Sequence, residues 1–261
     1  MDPQREPLPT RVQDTPTLPA SYDDALRRGL DDLALADDLH RDPTVRAAID
    51  GHVRLLLAWT GHINLTAIRE PSAVATAHVL DSLSALPWLR DRGAERVLDL
   101  GSGGGYPGLP LAAAMPGAAF TLLEPIAKKA GFLRAVVDAT GLADRVTVVT
   151  ARAESLAADP GYRGTWSVVM ARAVAAMAEL VELSFPLLAR GGSLVAWKRG
   201  DLSVELAAAR RAVDALGGGT LEVHDIDVPG LTDHRVAIAT RTGFVPAAYP
   251  RDPAGRRRRP W

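Results

Sequence analysis

The run Val97-Leu98-Asp99-Leu100-Gly101-Ser102-Gly103-Gly104-Gly105-Tyr106-Pro107-Gly108 carries an apolar strand through one acid into a glycine-rich turn, and Leu109 to Met115 continues as an apolar helix. A strand that turns this sharply into a helix opens a βαβ unit. The right-handed crossover of such units commits the chain to a mostly parallel sheet covered by helices on both faces. Glycine suits the turn because some of its backbone angles exclude a Cβ and because a ligand there approaches the main chain closely. Pro107 suits the first turn of the following helix.

The alternation continues. Strands are expected at Arg96 to Leu100, Ala119 to Leu123, Val146 to Val149, Ser167 to Met170 and Ser193 to Trp197, with helices at Leu109 to Met115, Ala127 to Thr140, Ala175 to Leu188 and Leu202 to Leu216. Two last strands, Leu221 to Val228 and His234 to Thr242, have no helix between them and are expected to be antiparallel. Before this region, Leu30, Leu33, Leu35 and Leu39, then Val45, Ile49, Val53, Leu56 and Leu57, recur at helical spacing. The expected fold is therefore α/β, a doubly wound seven-stranded sheet with an N-terminal helical cap. Its expected divisions are a disordered segment at 1–20, the cap at 21–90, a ligand-binding core at 91–245 and a basic tail at 246–261.

The spacing Gly103-x-Gly105-x-x-Gly108 also satisfies the dinucleotide fingerprint, so the glycines alone leave two cofactor classes open. Asp99 separates them, because a carboxylate aimed into the loop repels a pyrophosphate and favours a cationic ligand. Glu124, at the end of the second strand, is placed to accept two ribose hydroxyls, and Glu154, after the third, to meet an adenine edge. Three acids at three successive strand ends fit S-adenosylmethionine, a nucleoside that carries an ammonium and a sulfonium and no phosphate. For any one of them alone, a solvated loop carboxylate is the ordinary reading.

Composition narrows the chemistry further. The 261 residues contain no cysteine, which removes disulfides, thiolate metal sites and a cysteine nucleophile. The net charge of −1 provides no global attraction to nucleic acid. Charge is instead segregated: residues 1–50 hold 6 Arg against 11 acids, and 241–261 hold 6 Arg against Asp252, ending in Arg256-Arg257-Arg258-Arg259-Pro260-Trp261. Four arginines beside an aromatic can grip phosphates and stack on a base, or can form a solvated, disordered tail. The longest apolar stretch, Leu109 to Leu123, is interrupted by Pro110, Pro116 and Gly117 and is shorter than the about 20 residues a membrane helix needs. A cytoplasmic protein is expected.

Longer motifs accompany the loop: Asn64-Leu65-Thr66-Ala67-Ile68-Arg69, His78-Val79-Leu80-Asp81-Ser82-Leu83, Leu122-Leu123-Glu124, Lys128-Lys129, Phe132-Leu133, Arg152-Ala153-Glu154, Ala171-Arg172-Ala173, Trp197-Lys198 and Tyr249-Pro250-Arg251. Over roughly residues 45 to 255 the chain resembles the bacterial 16S rRNA guanine-N7 methyltransferases known as RsmG or GidB. The resemblance implies a class I (Rossmann-like) methyltransferase fold, S-adenosyl-L-methionine as donor, and 16S rRNA or the 30S subunit as partner. It also implies no metal, no membrane and a monomeric enzyme.

Gly101, Tyr106, Ala153, Glu154 and Arg172 are the cofactor contacts the resemblance carries over, beside Asp99, Gly103, Gly105 and Glu124 from the loop and strand ends. Arg172, Asn64 and His78 are candidates for positioning the acceptor base, with Asp81 expected to set the tautomer of His78. Lys198, Arg199, Arg251, Arg256, Arg257, Arg258 and Arg259 are the candidate RNA contacts. Tyr106 stands where the family usually has Phe or Leu, and Arg199 where glycine is common. Guanine N7 presents an in-plane lone pair and needs no general base, so catalysis is expected to consist of in-line alignment and exclusion of water. Two other readings stay open: a methyltransferase with a protein or small-molecule acceptor, and a binding module of the same fold without chemistry.

Overall fold

The computed structural model describes residues 7–36, 39, 42–228 and 230–261. A seven-stranded sheet runs through the molecule in the order β3-β2-β1-β4-β5-β7-β6, formed by β1 (Arg96–Leu100), β2 (Ala119–Leu123), β3 (Val146–Val149), β4 (Trp166–Arg172), β5 (Leu188–Arg199), β6 (Gly219–Asp225) and β7 (His234–Arg241). Strands β1 to β5 are mutually parallel, and β7 pairs antiparallel with both β5 and β6. The strand order reverses between β1 and β4, whose register sets Asp99 opposite Met170. The end of β4 and the turn after β1 therefore flank the crevice where open α/β sheets hold ligands.

The two-residue period of the strands divides the core. Val97, Phe120 and Leu122 face one side, packed with the N-terminal helices, while Leu98, Leu100, Leu123, Trp166 and Val169 face the other. On the first side lie α1 (Ala20–Asp32), α2 (Pro43–Thr60), α3 (71–83), α4 (Leu86–Asp91), α5 (Gly108–Ala114) and α6 (Ala127–Ala139). On the second lie α7 (Ala153–Ala158), α8 (Met177–Ser184) and α9 (Ser203–Ala215). Asp42 caps α2 by accepting from the Thr44 amide at 2.8 Å, with Pro43 in the first turn.

Helix α3 is α-helical at Pro71–Val74 and Asp81–Leu83, with a π-helical stretch at Ala75–Leu80 between them. Such stretches are uncommon and often accompany functional sites. This one carries His78.

Three expectations need correction. The described part of the N-terminal segment, from residue 7, is ordered by contacts with α2, whereas residues 1–6 lie outside the described residues. Trp59 Nε1 donates to the Pro9 carbonyl at 2.7 Å and Arg54 Nε to that of Pro16 at 2.8 Å. Second, α8 is shorter than its apolar pattern suggests, since Pro186 supplies no amide and the Met177 amide is capped by the Glu205 carboxylate across the interface with α9.

Third, the basic tail is ordered, not disordered, although Arg257, Arg258 and Arg259 stay exposed to solvent. Residues Pro253–Arg258 form α10, capped by Asp252, which accepts from the Gly255 amide at 2.6 Å. The whole tail is fastened to α8 through Glu182, a buried carboxylate gripped by Arg251 at 2.9 and 2.5 Å and by Trp261 Nε1 at 2.7 Å. Among the described residues no helix is long and apolar enough to cross a membrane.

Candidate active site

The glycine turn is held from the neighbouring strand. The Gly101 and Ser102 amides both donate to the Leu123 carbonyl, at 2.8 and 3.1 Å, and the Gly103 amide donates to Glu124 Oε2 at 2.9 Å. Glu124 Oε1 accepts from the Ile126 amide at 2.8 Å, so this carboxylate braces two turns at once. At Gly101, φ is +76° and a Cβ would come within 2.8 Å of Val174 Cγ2. At Gly105, φ is +89° and a Cβ would lie 2.8 Å from His52 Nε2, so the constraint there is packing against the cap rather than room for a ligand.

Asp99 is fully buried beneath the turn, with Oδ2 accepting from the Gly108 amide at 3.1 Å and Oδ1 without a partner. Burial pushes its carboxyl up to about 7.

Beyond the strand ends lies a cleft of about 280 Å³ walled by Leu100, Gly101, Ala153, Glu154, Val174 and Arg256. The residues fit a nucleoside without phosphates. Its charged lining is balanced, Glu154 and Glu179 against Arg152 and Arg256, and the rest is largely apolar. Glu154 Oε1 pairs with Arg256 at 2.6 Å, and its Oε2 bonds to no described residue, which leaves an acceptor for an exocyclic amine. The orphaned Asp99 Oδ1 is a second uncommitted acceptor, buried beneath the glycine turn.

A second cleft adjoins the first at Ala175 and is bordered by His78, Asp81, Arg172, Trp197, Arg199 and His234. Asp81 organises it. Its Oδ2 accepts from Arg172 Nη1 at 2.9 Å and its Oδ1 from His234 Nδ1 at 3.0 Å, while its carbonyl accepts from Trp197 Nε1 at 2.6 Å. Arg172 Nη2 lies 3.0 Å from His78 Nδ1. The same Nδ1 lies 3.0 Å from the Ala77 carbonyl, and Nε2 lies 2.7 Å from Thr66 Oγ1, so the ring is held by Arg172, Ala77 and Thr66 together. Burial and the Arg172 charge lower the His78 pKa to about 4. Asp81 bonds to Arg172 and His234 and not to His78, the partner the sequence suggests for it.

Tyr106 joins the cap to the turn. Its ring stacks on His52 at 4.4 Å and on His78 at 4.8 Å, with the Arg172 guanidinium 5.4 Å from its centre. His52 Nε2 donates to the Gly104 carbonyl at 2.7 Å, and burial holds its pKa at about 4. Tyr106 is therefore a packing element between two histidines and does not wall the first cleft.

The structure brings Gly101, Ala153 and Glu154 together at the first cleft and His78 and Arg172 at the second. Gly103 and Gly105 lie in the glycine turn, with Asp99 buried beneath it and Glu124 bracing it from the end of β2, and none of these four lines either cleft. Asn64 does not join them. It is exposed, although the adjacent Leu65 carbonyl overlies Gly104.

Among the RNA candidates, Lys198 is neutralised by Glu205 and donates to the Ala175 carbonyl at 2.8 Å. Arg251 is bound to Glu182, and Arg256 to Glu154 and Glu179. Acids within reach claim these three cations. Arg199, Arg257, Arg258 and Arg259 remain exposed, with no ion pair to a described residue. His52 and His234 escaped the sequence reading because neither stands in a motif with the residues it meets.

Comparison with known proteins agrees with this geometry. Residues 46–231 match the family model GidB, described as rRNA small subunit methyltransferase G. The ribosomal RNA small subunit methyltransferase G of Roseiflexus castenholzii is 43% identical over 197 residues, covering 75% of this chain and 83% of that protein. Its counterpart from Deinococcus radiodurans is 39% identical over 227 residues, 87% of each chain.

Among solved structures, a putative O-methyltransferase from Klebsiella pneumoniae superposes with a TM-score of 0.53 at 16% identity over 77% of this chain and 91% of its own. An O-methyltransferase from Bacillus cereus gives 0.52 at 15% identity over 77% and 92%. At that identity the likeness establishes the class I, Rossmann-like methyltransferase fold. With the family model spanning most of the chain and relatives this similar over four-fifths of their length, the chain belongs to the GidB family of rRNA small subunit methyltransferases.

Proposed function

We propose that this protein transfers a methyl group from S-adenosylmethionine to N7 of one guanine in 16S rRNA, acting as a cytoplasmic monomer on the small ribosomal subunit or its RNA. The observation that carries the reading is the meeting of two unlike clefts at the sheet's switch point. One combines apolar walls with the free Glu154 oxygen, suited to the donor, and the other is lined by Arg172, His234 and Trp197, suited to a base.

When bound, the donor supplies an electrophilic methyl group, which the N7 lone pair takes as the carbon–sulfur bond breaks and sulfur keeps the electron pair. That chemistry asks the residues around the second cleft for no base. Burial and the Arg172 charge hold His78 neutral, and Asp81 is committed to Arg172 and His234. What they provide is orientation. Arg172, fixed by Asp81, lines the cleft and suits a purine oxygen as acceptor, and His234 Nε2 makes no bond to a described residue. Held in line, the reactants need little beyond alignment and exclusion of water. Exposed Arg199, Arg257, Arg258 and Arg259 suit phosphates flanking the target.

Transfer of labelled methyl from the donor to 16S rRNA and to 30S particles, with cleavage specific for 7-methylguanine, tests this. One N7-modified guanine is the expected product. Labelling at an exocyclic amine or ribose would overturn the N7 assignment, and donor binding without RNA labelling would direct the search to another acceptor.

A further inference from the structure

The tail beyond the region matched by the family model reaches into the first cleft. Arg256 is only 11% exposed there, and each guanidinium nitrogen is committed: Nε to Glu179 Oε1 at 2.9 Å, Nη2 to Glu154 Oε1 at 2.6 Å and Nη1 to the Arg251 carbonyl at 2.6 Å. The helix that carries it is pinned beside the cleft by the buried Arg251–Glu182 pair, with the Arg251 guanidinium 5.0 Å from the Trp261 ring and 5.7 Å from that of Tyr249. Arg163 adds bonds to the Tyr249 and Pro246 carbonyls at 2.9 and 3.2 Å.

We propose that Arg256 is a positioning residue of the cofactor site, holding Glu154 in the orientation that reads the adenine edge, so that the C-terminal arginine segment serves the donor as well as RNA. The proposal rests on the donor reading of the first cleft. Glu154 and Glu179 wall the same cleft, and without a cation between them two like charges face one another across its mouth. Arg256 removes that repulsion and takes one oxygen of Glu154, which leaves Oε2 directed by a fixed carboxylate plane. A bidentate bridge between two acids needs the planar fork of arginine. A lysine ammonium is a point charge and holds neither acid in a plane.

The test is calorimetric binding of S-adenosylhomocysteine and of adenosine to the full chain, with melting temperature recorded for each variant. Arg256→Ala is expected to weaken both ligands about tenfold, the scale of one charge-assisted hydrogen bond, and Arg256→Lys to recover only part of that loss. Glu154→Gln is expected to cost little more once Arg256 is gone, because the two act as one unit.

Unchanged affinity with a lowered melting temperature would reduce Arg256 to a structural clamp and overturn the proposal. Tighter binding by Arg256→Ala would overturn it too, by making the side chain an obstruction. Failure of the unaltered chain to bind either nucleoside would instead sink the donor reading, a result distinct from any change confined to the variants.

Discussion

Arg172 Nη1 and Asp81 Oδ2 lie 2.9 Å apart with their side chains 15% and 4% exposed, joining the last residue of β4 to the α-helical turn that follows the π-helical stretch of α3. The pair ties the cap to the sheet at the mouth of the second cleft. Asp81→Asn keeps the shape and removes the charge, which leaves a part-buried guanidinium unpaired and releases His234. The expected cost is about 3 kcal/mol in urea unfolding, with methylation of RNA reduced more than donor binding. A loss in donor affinity equal to the loss in methylation would separate the pair from the acceptor.

Two buried histidines and one buried acid give the stability a characteristic pH dependence. His52 and His78 have folded pKa values of about 4, below the ordinary 6.5, so their contribution is full above about 6.5 and is lost as pH falls toward 4. Asp99 works oppositely. Its folded value of about 7 lies above the ordinary 3.8, so its contribution is present below that and is lost as pH rises through 7. Between pH 4 and 7, His78→Gln should flatten the decline in unfolding free energy on acidification, and Asp99→Asn should steepen it. Parallel profiles for all three proteins would show that neither group titrates as its surroundings imply.

At the base of the first cleft, Gly101→Ala meets both a left-handed backbone and Val174 Cγ2. A loss of about 2 kcal/mol is expected, together with weaker nucleoside binding. Adding Val174→Ala should restore the part due to overlap and leave the part due to φ. Full recovery in thermal unfolding would mean that the backbone carries no strain there.

Ala173 directly follows Arg172 with φ at +56°, a conformation costly for a side chain with a Cβ. Strain of this kind is stored where a neighbouring group must be held. Ala173→Gly is expected to gain about 0.5 kcal/mol, the relief of strain exceeding the entropy of the added freedom. Destabilisation by a similar amount would show that the methyl group's packing outweighs its angle.

Much of this molecule was legible in its sequence. Short apolar runs bounded by turn residues define β1, β2 and β3 to the residue, and the absence of a helix between β6 and β7 signals their antiparallel pairing, since a parallel crossover needs more chain. The acids at strand ends follow from the same periodicity, which reports burial and therefore where a strand stops.

The partners of charged groups are another matter. Arg256 meets acids 77 and 102 positions away, and His234 meets Asp81 across 153. No local pattern encodes such pairings, because a run of arginines reads alike whether water or a carboxylate faces it. The tertiary structure decided that Arg251, Arg256 and Lys198 are committed internally, that Tyr106 packs between two histidines, and that Asp81 meets His234 rather than His78. Only folding brings opposite charges within a few ångströms, where desolvation makes an unpaired ion costly and a paired one permanent.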